Sequence, residues 1–179
     1  MRSTDVLVQQ HMVIDKVLDT LAQKLQDTPS AGALDVEFFR KLVAFSNAVD
    51  KCHHSKEEGC LFPCLTGKGM PREGGPIGMM LMEHEMGRAL IRQLSETLDL
   101  YENGDASVDD VVSPCREYLQ LLKQHISKEN GVLYPMGENM MSEQDDAETL
   151  TCYEDGEQEM GPEASEDLIR LAAEMNAEI

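Results

Sequence analysis

His53-His54-Ser55-Lys56-Glu57-Glu58-Gly59-Cys60-Leu61-Phe62-Pro63 returns later in the chain as His125-Ile126-Ser127-Lys128-Glu129-Asn130-Gly131-Val132-Leu133-Tyr134-Pro135. Histidine, serine, lysine, glutamate, glycine, leucine and proline recur at the same offsets. Each copy holds a His-x-x-x-Glu, and at about 3.6 residues per turn that spacing puts both side chains on one helix face. An imidazole and a carboxylate so placed can bind one metal ion. Two copies therefore predict a two-fold site for two metals.

Working outward, the repeat enlarges. Leu7, His11, Ile14, Leu18, Leu21 and Leu25 form the apolar stripe of a bundle helix. Met80, His84, Gly87, Ile91, Leu94 and Leu98 are the same stripe shifted by 73 residues, member by member. The first helix thus pairs with the third, and the second with the fourth. Ser3 or Thr4 is the expected cap of the first helix, and Thr28-Pro29-Ser30-Ala31-Gly32 its end. The second helix is predicted from about Asp35 to Leu61, with Phe38, Leu42, Phe45, Val49 and His53 inward and Pro63 breaking or kinking it. Residues 66–76 are rich in Gly and Pro and read as a connecting loop. Asn103-Gly104-Asp105 closes the third helix. The fourth begins near Ser107 or near Ser113-Pro114, with proline's preference for the first helical position favouring the later start. Tyr118, Leu121 or Leu122, His125, Glu129 and Val132 are expected to face inward. Two such hairpins predict an all-α, up-down-up-down four-helix bundle over residues 1–144.

Residues 145–179 form an acidic C-terminal extension. They carry twelve Asp or Glu and a single Arg. Leu168, Leu171, Ala172 and Met175 have helical spacing, and Gly161-Pro162 offers a start for that helix. The spacing leaves open whether this helix docks on the bundle.

Bulk composition narrows the function. The formal charge is −19, which argues against nucleic acid and anionic membrane surfaces as partners. No run of about 18 apolar residues is present, so no transmembrane helix is expected. The segment Met1 to Val6 lacks an apolar signal core and reads as cytosolic, giving a cytoplasmic expectation. Cys52, Cys60, Cys64, Cys115 and Cys152 are an odd set without Cys-x-x-Cys, which predicts reduced thiols. Aromatics are 4% and methionines number 12, so an aliphatic, Met-filled core is expected, with Met79, Met80, Met82 and Met86 as core filling.

Four of the five histidines form two symmetric pairs, His11 with His84 and His53 with His125. Burying these imidazoles with Glu57 and Glu129 uncompensated would cost several kcal/mol per charge. A metal removes that penalty. The predicted ligands are His11, His53, Glu57, His84, His125 and Glu129, a mixed nitrogen and oxygen set suited to iron, manganese or zinc. His54 and Glu58 form a competing pair one residue along. The second copy has Ile126 and Asn130 there, so His54 and Glu58 read as surface groups or as supports behind the ligands. Asp15, four residues after His11, and Tyr118, two turns before His125, are weaker candidates for a place near the site.

The pattern His, His-x-x-x-Glu, His, His-x-x-x-Glu, at His11, His53/Glu57, His84 and His125/Glu129, resembles the hemerythrin-like HHE cation-binding domains. The Leu-Phe-Pro and Leu-Tyr-Pro endings are similar too. The resemblance covers about residues 4 to 141. It implies a non-haem di-iron centre with an oxo or hydroxo bridge, two His on each iron, and Glu57 and Glu129 as bridging carboxylates. The oxygen-carrying members have a further His one turn along the third helix, where this chain has Arg88. That difference points away from oxygen transport. Four-His, two-Glu domains are associated with iron sensing, peroxide breakdown, and responses to nitric oxide and damaged iron–sulfur clusters. Two expectations result. One is a di-iron oxidoreductase acting on peroxide, dioxygen or nitric oxide with an unidentified electron donor. The other is a sensor or store for iron, oxygen or nitric oxide without turnover.

Overall fold

The structure is a computed structural model and describes residues 1–28, 33–161 and 163–177. Among these the chain is all helical. Helix α1 spans Ser3–Asp27, α2 Val36–Val49, α3 Phe62–Gly67, α4 Gly75–Glu102, α5 Val108–Lys128, α6 Tyr134–Met140, α7 Glu143–Met160 and α8 Glu163–Asn176. Two π turns, Asp50–His54 and Glu57–Leu61, carry α2 into α3, and a third, Glu129–Leu133, carries α5 into α6. The four-helix bundle therefore consists of α1, the continuous α2–α3 rod, α4, and the continuous α5–α6 rod. Helix α5 packs on α1 and on α4, and α4 packs on α2.

The helix starts follow local chemistry. Asp35 accepts a hydrogen bond from the Phe38 amide at 3.2 Å and caps α2. At α5 the earlier of the two expected starts is found. Ser107 Oγ accepts from the Asp110 amide, Asp110 accepts from the Ser107 amide at 2.8 Å, and this reciprocal cap outweighs the cost of Pro114 inside the helix. Helix α1 is capped differently from expectation. Arg2 precedes it, and Ser3 and Thr4 are buried, donating their hydroxyls to Asp146 and Glu138. Pro63 does not end the second rod. It occupies the first turn of α3, directly after the Glu57–Leu61 π turn. Positions 29–32 of the expected first turn, and Pro162, lie outside the described residues.

Two apolar clusters form the core, with a polar layer between them. On each long helix the polar residues fall between members of the first cluster (Ile14, Val49, Ile91 and Leu122) and of the second (Leu7, Leu61, Met80 and Leu133). All four phenylalanines are buried. The methionines are less so: Met80 is buried, while Met79, Met82 and Met86 are exposed on the opposite face of α4, correcting their reading as core. Val132 is likewise exposed, and Leu133 takes the inward position.

Helix α8 docks against α1 and α2 through Leu168, Leu171, Ala172 and Met175. Helix α7 is tied down covalently. Cys152 forms a disulfide with Cys60, whose Cα lies 5.9 Å away. This corrects the expectation of reduced thiols: the two residues are 92 apart in sequence, and only the folded chain brings them together. No helix among the described residues is long and apolar enough to cross a membrane.

Candidate metal centre

The six residues converge from all four rods. His11 comes from α1, His53 from the first π turn, Glu57 from the start of the second, His84 from α4, His125 from the last turn of α5, and Glu129 from the start of the third π turn. None is more than 2% exposed. The two π turns that begin at the glutamates are equivalent in the repeat. The Phe62 amide bonds back to the Glu57 carbonyl and the Tyr134 amide to the Glu129 carbonyl, five residues earlier in each case. Such turns concentrate at functional sites because the inserted residue re-aims the side chains around it.

The imidazoles form two pairs. His11 Nε2 lies 2.9 Å from His53 Nε2, and His84 Nε2 lies 3.2 Å from His125 Nε2. Each carboxylate spans both pairs. Glu57 Oε2 is 3.7 Å from His53 Nε2 and 3.3 Å from His84 Nε2. Glu129 Oε2 is 3.2 Å from both His11 Nε2 and His125 Nε2.

Behind the imidazoles the repeat continues. His11 Nδ1 meets Asn130 Oδ1 at 2.8 Å, and His84 Nδ1 meets Glu58 Oε1 at 2.7 Å. His53 Nδ1 meets Gln10 Oε1 at 2.9 Å, and His125 Nδ1 meets Glu83 Oε2 at 3.1 Å. All four partners are acceptors, so each neutral ring carries its proton on Nδ1 and turns a bare Nε2 lone pair inward. Lone pairs facing each other at such separations repel unless a proton or a metal ion lies between them.

The electrostatics demand the same. Glu57 Oε2 and Glu129 Oε1 are buried without a hydrogen bond. Burial opposes charge on His84, but Glu57 and Glu58 outweigh it and lift this imidazole to about 10. Burial likewise opposes charge on His11, and Glu129 overrides it, raising the group. His53 is pushed well down by burial and by its imidazole neighbours. Burial and the nearby Glu129 carboxylate raise Glu57, whereas the surrounding imidazoles override burial and hold Glu129 low. Without a metal, the proton on His84 supplies part of the positive charge that these carboxylates require. The orphaned oxygens and inward lone pairs fit a metal pair, and the donor set is the nitrogen and carboxylate mixture that iron accepts.

Several further residues find their places. Glu58 stands behind His84, as a support, and is pulled down to about 2 by His84 and Arg88 against the effect of burial. His54 is not a surface residue: it is 7% exposed and stacks on His84 at 4.0 Å. Burial holds it down to about 4, in its neutral form. Asp15 is away from the centre, accepting from Lys123 Nζ at 2.9 Å. Tyr118 is buried and lines a cavity of about 160 Å³ that also touches His54, His84 and His125. Sequence reasoning missed Tyr134, whose hydroxyl donates to Glu57 Oε1 at 2.6 Å and whose ring stacks on His11 at 5.6 Å. It also missed Gln10, Glu83 and Asn130. Their signal was present: Gln10 and Glu83 each precede the first His of a hairpin, and Glu58 and Asn130 each follow the motif Glu.

A family model described as the hemerythrin HHE cation binding domain matches residues 2–137. No curated protein matches the chain. No solved structure matches it.

Proposed function

The chain belongs to the hemerythrin HHE cation-binding domain family, and from that premise we propose that it holds two iron ions and reacts with a small ligand such as peroxide, dioxygen or nitric oxide. The ligands in this reading are His11, His53, Glu57, His84, His125 and Glu129. The observation that carries it is the convergence of four inward Nε2 atoms on two carboxylates whose Glu57 Oε2 and Glu129 Oε1 have no hydrogen bond. Two iron ions bound there supply reversible ferrous–ferric redox chemistry and a coordination position for the small ligand.

The chain's own groups do the rest. Glu57 and Glu129 each reach both imidazole pairs and so hold the two positions together. Asn130, Gln10, Glu58 and Glu83 fix the ring orientations through Nδ1. The apolar clusters on both sides exclude bulk water. The cavity beside His54, His84 and His125 has room for a molecule of a few atoms, and its lining of Asp50, Glu83 and Arg88 among apolar groups suits a small polar one. Tyr134 Oη–H presents a proton at Glu57 Oε1.

The alternative is a sensor or store without turnover. The attachment of α7 to the Glu57–Leu61 turn through Cys60–Cys152 favours it, because it gives a change at Glu57 a covalent route to the extension. Iron-loaded protein mixed with excess peroxide or nitric oxide separates the two readings. Many turnovers per pair of irons support a redox enzyme, peroxide-decomposing or nitric oxide-consuming; one stoichiometric spectral change supports the sensor. Less than one iron per chain after anaerobic loading would remove both.

A further inference from the structure

The first copy of the motif has a histidine that the second lacks. His54 follows His53, whereas Ile126 follows His125. The π turn Asp50–His54 likewise has no counterpart before His125, where α5 stays regular. The wider turn lets two consecutive rings face the interior, so both His53 and His54 are buried.

Asp50 Oδ1 accepts from His54 Nδ1 at 3.0 Å, which leaves Nε2 of this ring bare. One ligand-type atom from each of His54, Glu57, His84 and His125 lies within 4.8 Å of all the others. His54 stacks on His84 with an interplanar angle of 19° and lies edge-on to His125 at 5.9 Å, so sharing an ion with His84 requires its ring to tilt inward from this stack. Arg88 holds this arrangement from outside. Its Nε donates to Asp50 Oδ1 at 2.8 Å and its Nη2 to Glu58 Oε1 at 2.7 Å, fixing the acids that orient His54 and His84.

The two halves differ in what stands behind their rings. His54, His84 and His125 are backed by Asp50, Glu58 and Glu83, all carboxylates. His11 and His53 are backed by Asn130 and Gln10, both amides. A carboxylate on Nδ1–H makes the opposite nitrogen a stronger donor than an amide does.

We propose that His54 is a third imidazole ligand of the half-site formed by His84, His125 and Glu57, with Arg88 as a positioning residue, and that this half-site fills before the one formed by His11, His53 and Glu129. The proposal rests on the metal-centre reading above. It makes the two metal positions unequal in donor number and donor strength.

The test is an anaerobic titration of the full metal-free chain with cobalt(II), whose visible absorption reports coordination number, repeated with iron(II) and metal analysis. The expected result is two resolved steps. His54→Ala and His54→Phe should each weaken the first step at least about tenfold and change its cobalt spectrum, leaving the second step in place. His11→Ala should instead weaken the second. His54→Phe keeps a ring stacked on His84 but has no nitrogen, so wild-type binding in that variant overturns the proposal by showing that the ring only packs. Wild-type binding in both His54 variants overturns it as well. A wild-type chain that takes up no metal overturns the metal-centre reading itself, an outcome distinct from two unaltered steps.

Discussion

Tyr134 reaches across the bundle to Glu57, donating its hydroxyl to Oε1 at 2.6 Å from the opposite hairpin. The equivalent residue of the first copy is Phe62, which stacks on His84 as Tyr134 stacks on His11, but has no hydroxyl. The repeat is thus symmetric in its rings and asymmetric in its one phenol. Tyr134→Phe removes the one hydrogen bond that a fully buried carboxylate oxygen receives among the described residues, and should destabilise the metal-free protein by about 1–3 kcal/mol in denaturant melts. Iron content should stay near that of the wild type, because no ligand is lost. A variant as stable as wild type would show that Glu57 is protonated and satisfied in another way.

Ligand variants should act on metal content before they act on fold. His53→Ala and Glu129→Ala each remove a group from the convergent set, and each should lower bound iron well below the wild-type ratio, measured by metal analysis after gel filtration. Asp15→Ala should leave it unchanged, since Asp15 pairs with Lys123 outside the centre. Unchanged iron in both ligand variants would remove these residues from the site.

The bundle and the six convergent residues were legible because a duplicated pattern exposes inward positions twice. What escaped was the local geometry of the second rod. Phe45, Val49, His53, Glu57 and Leu61 step by four throughout. In a regular α-helix each such step drifts by about 40°, so five aligned residues would spiral off the core face. The π turns Asp50–His54 and Glu57–Leu61 absorb that drift. The repeat was therefore enough to place His53 and Glu57 inward but not His54, whose burial depends on a turn present in one copy only. The disulfide was illegible for another reason: Cys152 lies on α7, outside the repeat, and its pairing depends on where that helix docks.

Reduction of Cys60–Cys152 should loosen the extension. The crosslink closes a loop across 92 residues, and the chain-entropy argument assigns such a loop about 4.6 kcal/mol. Denaturant unfolding with and without reductant should differ by that order. Thiol counting on the unfolded, unreduced protein should find three free cysteines, Cys52, Cys64 and Cys115. Five free thiols in freshly purified protein would mean that the bond is absent.

Metal uptake should release protons, and the sign follows from the imidazoles. His84 is raised to about 10, so at neutral pH it carries a proton where a metal would bind, and His11 is shifted in the same direction. In the metal-free protein a raised imidazole contributes stability that is fully present below its unfolded value of 6.5 and is lost as pH rises through about 10. Metal-free protein should accordingly melt lower at pH 10 than at pH 7. A bound metal replaces that proton, so its apparent affinity should rise with pH, by up to about tenfold per pH unit for each proton displaced. Calorimetric titration in two buffers of different ionisation enthalpy counts the protons directly. A count of zero at neutral pH would mean that His84 is already neutral, and that the buried carboxylates are compensated by some other group before metal arrives.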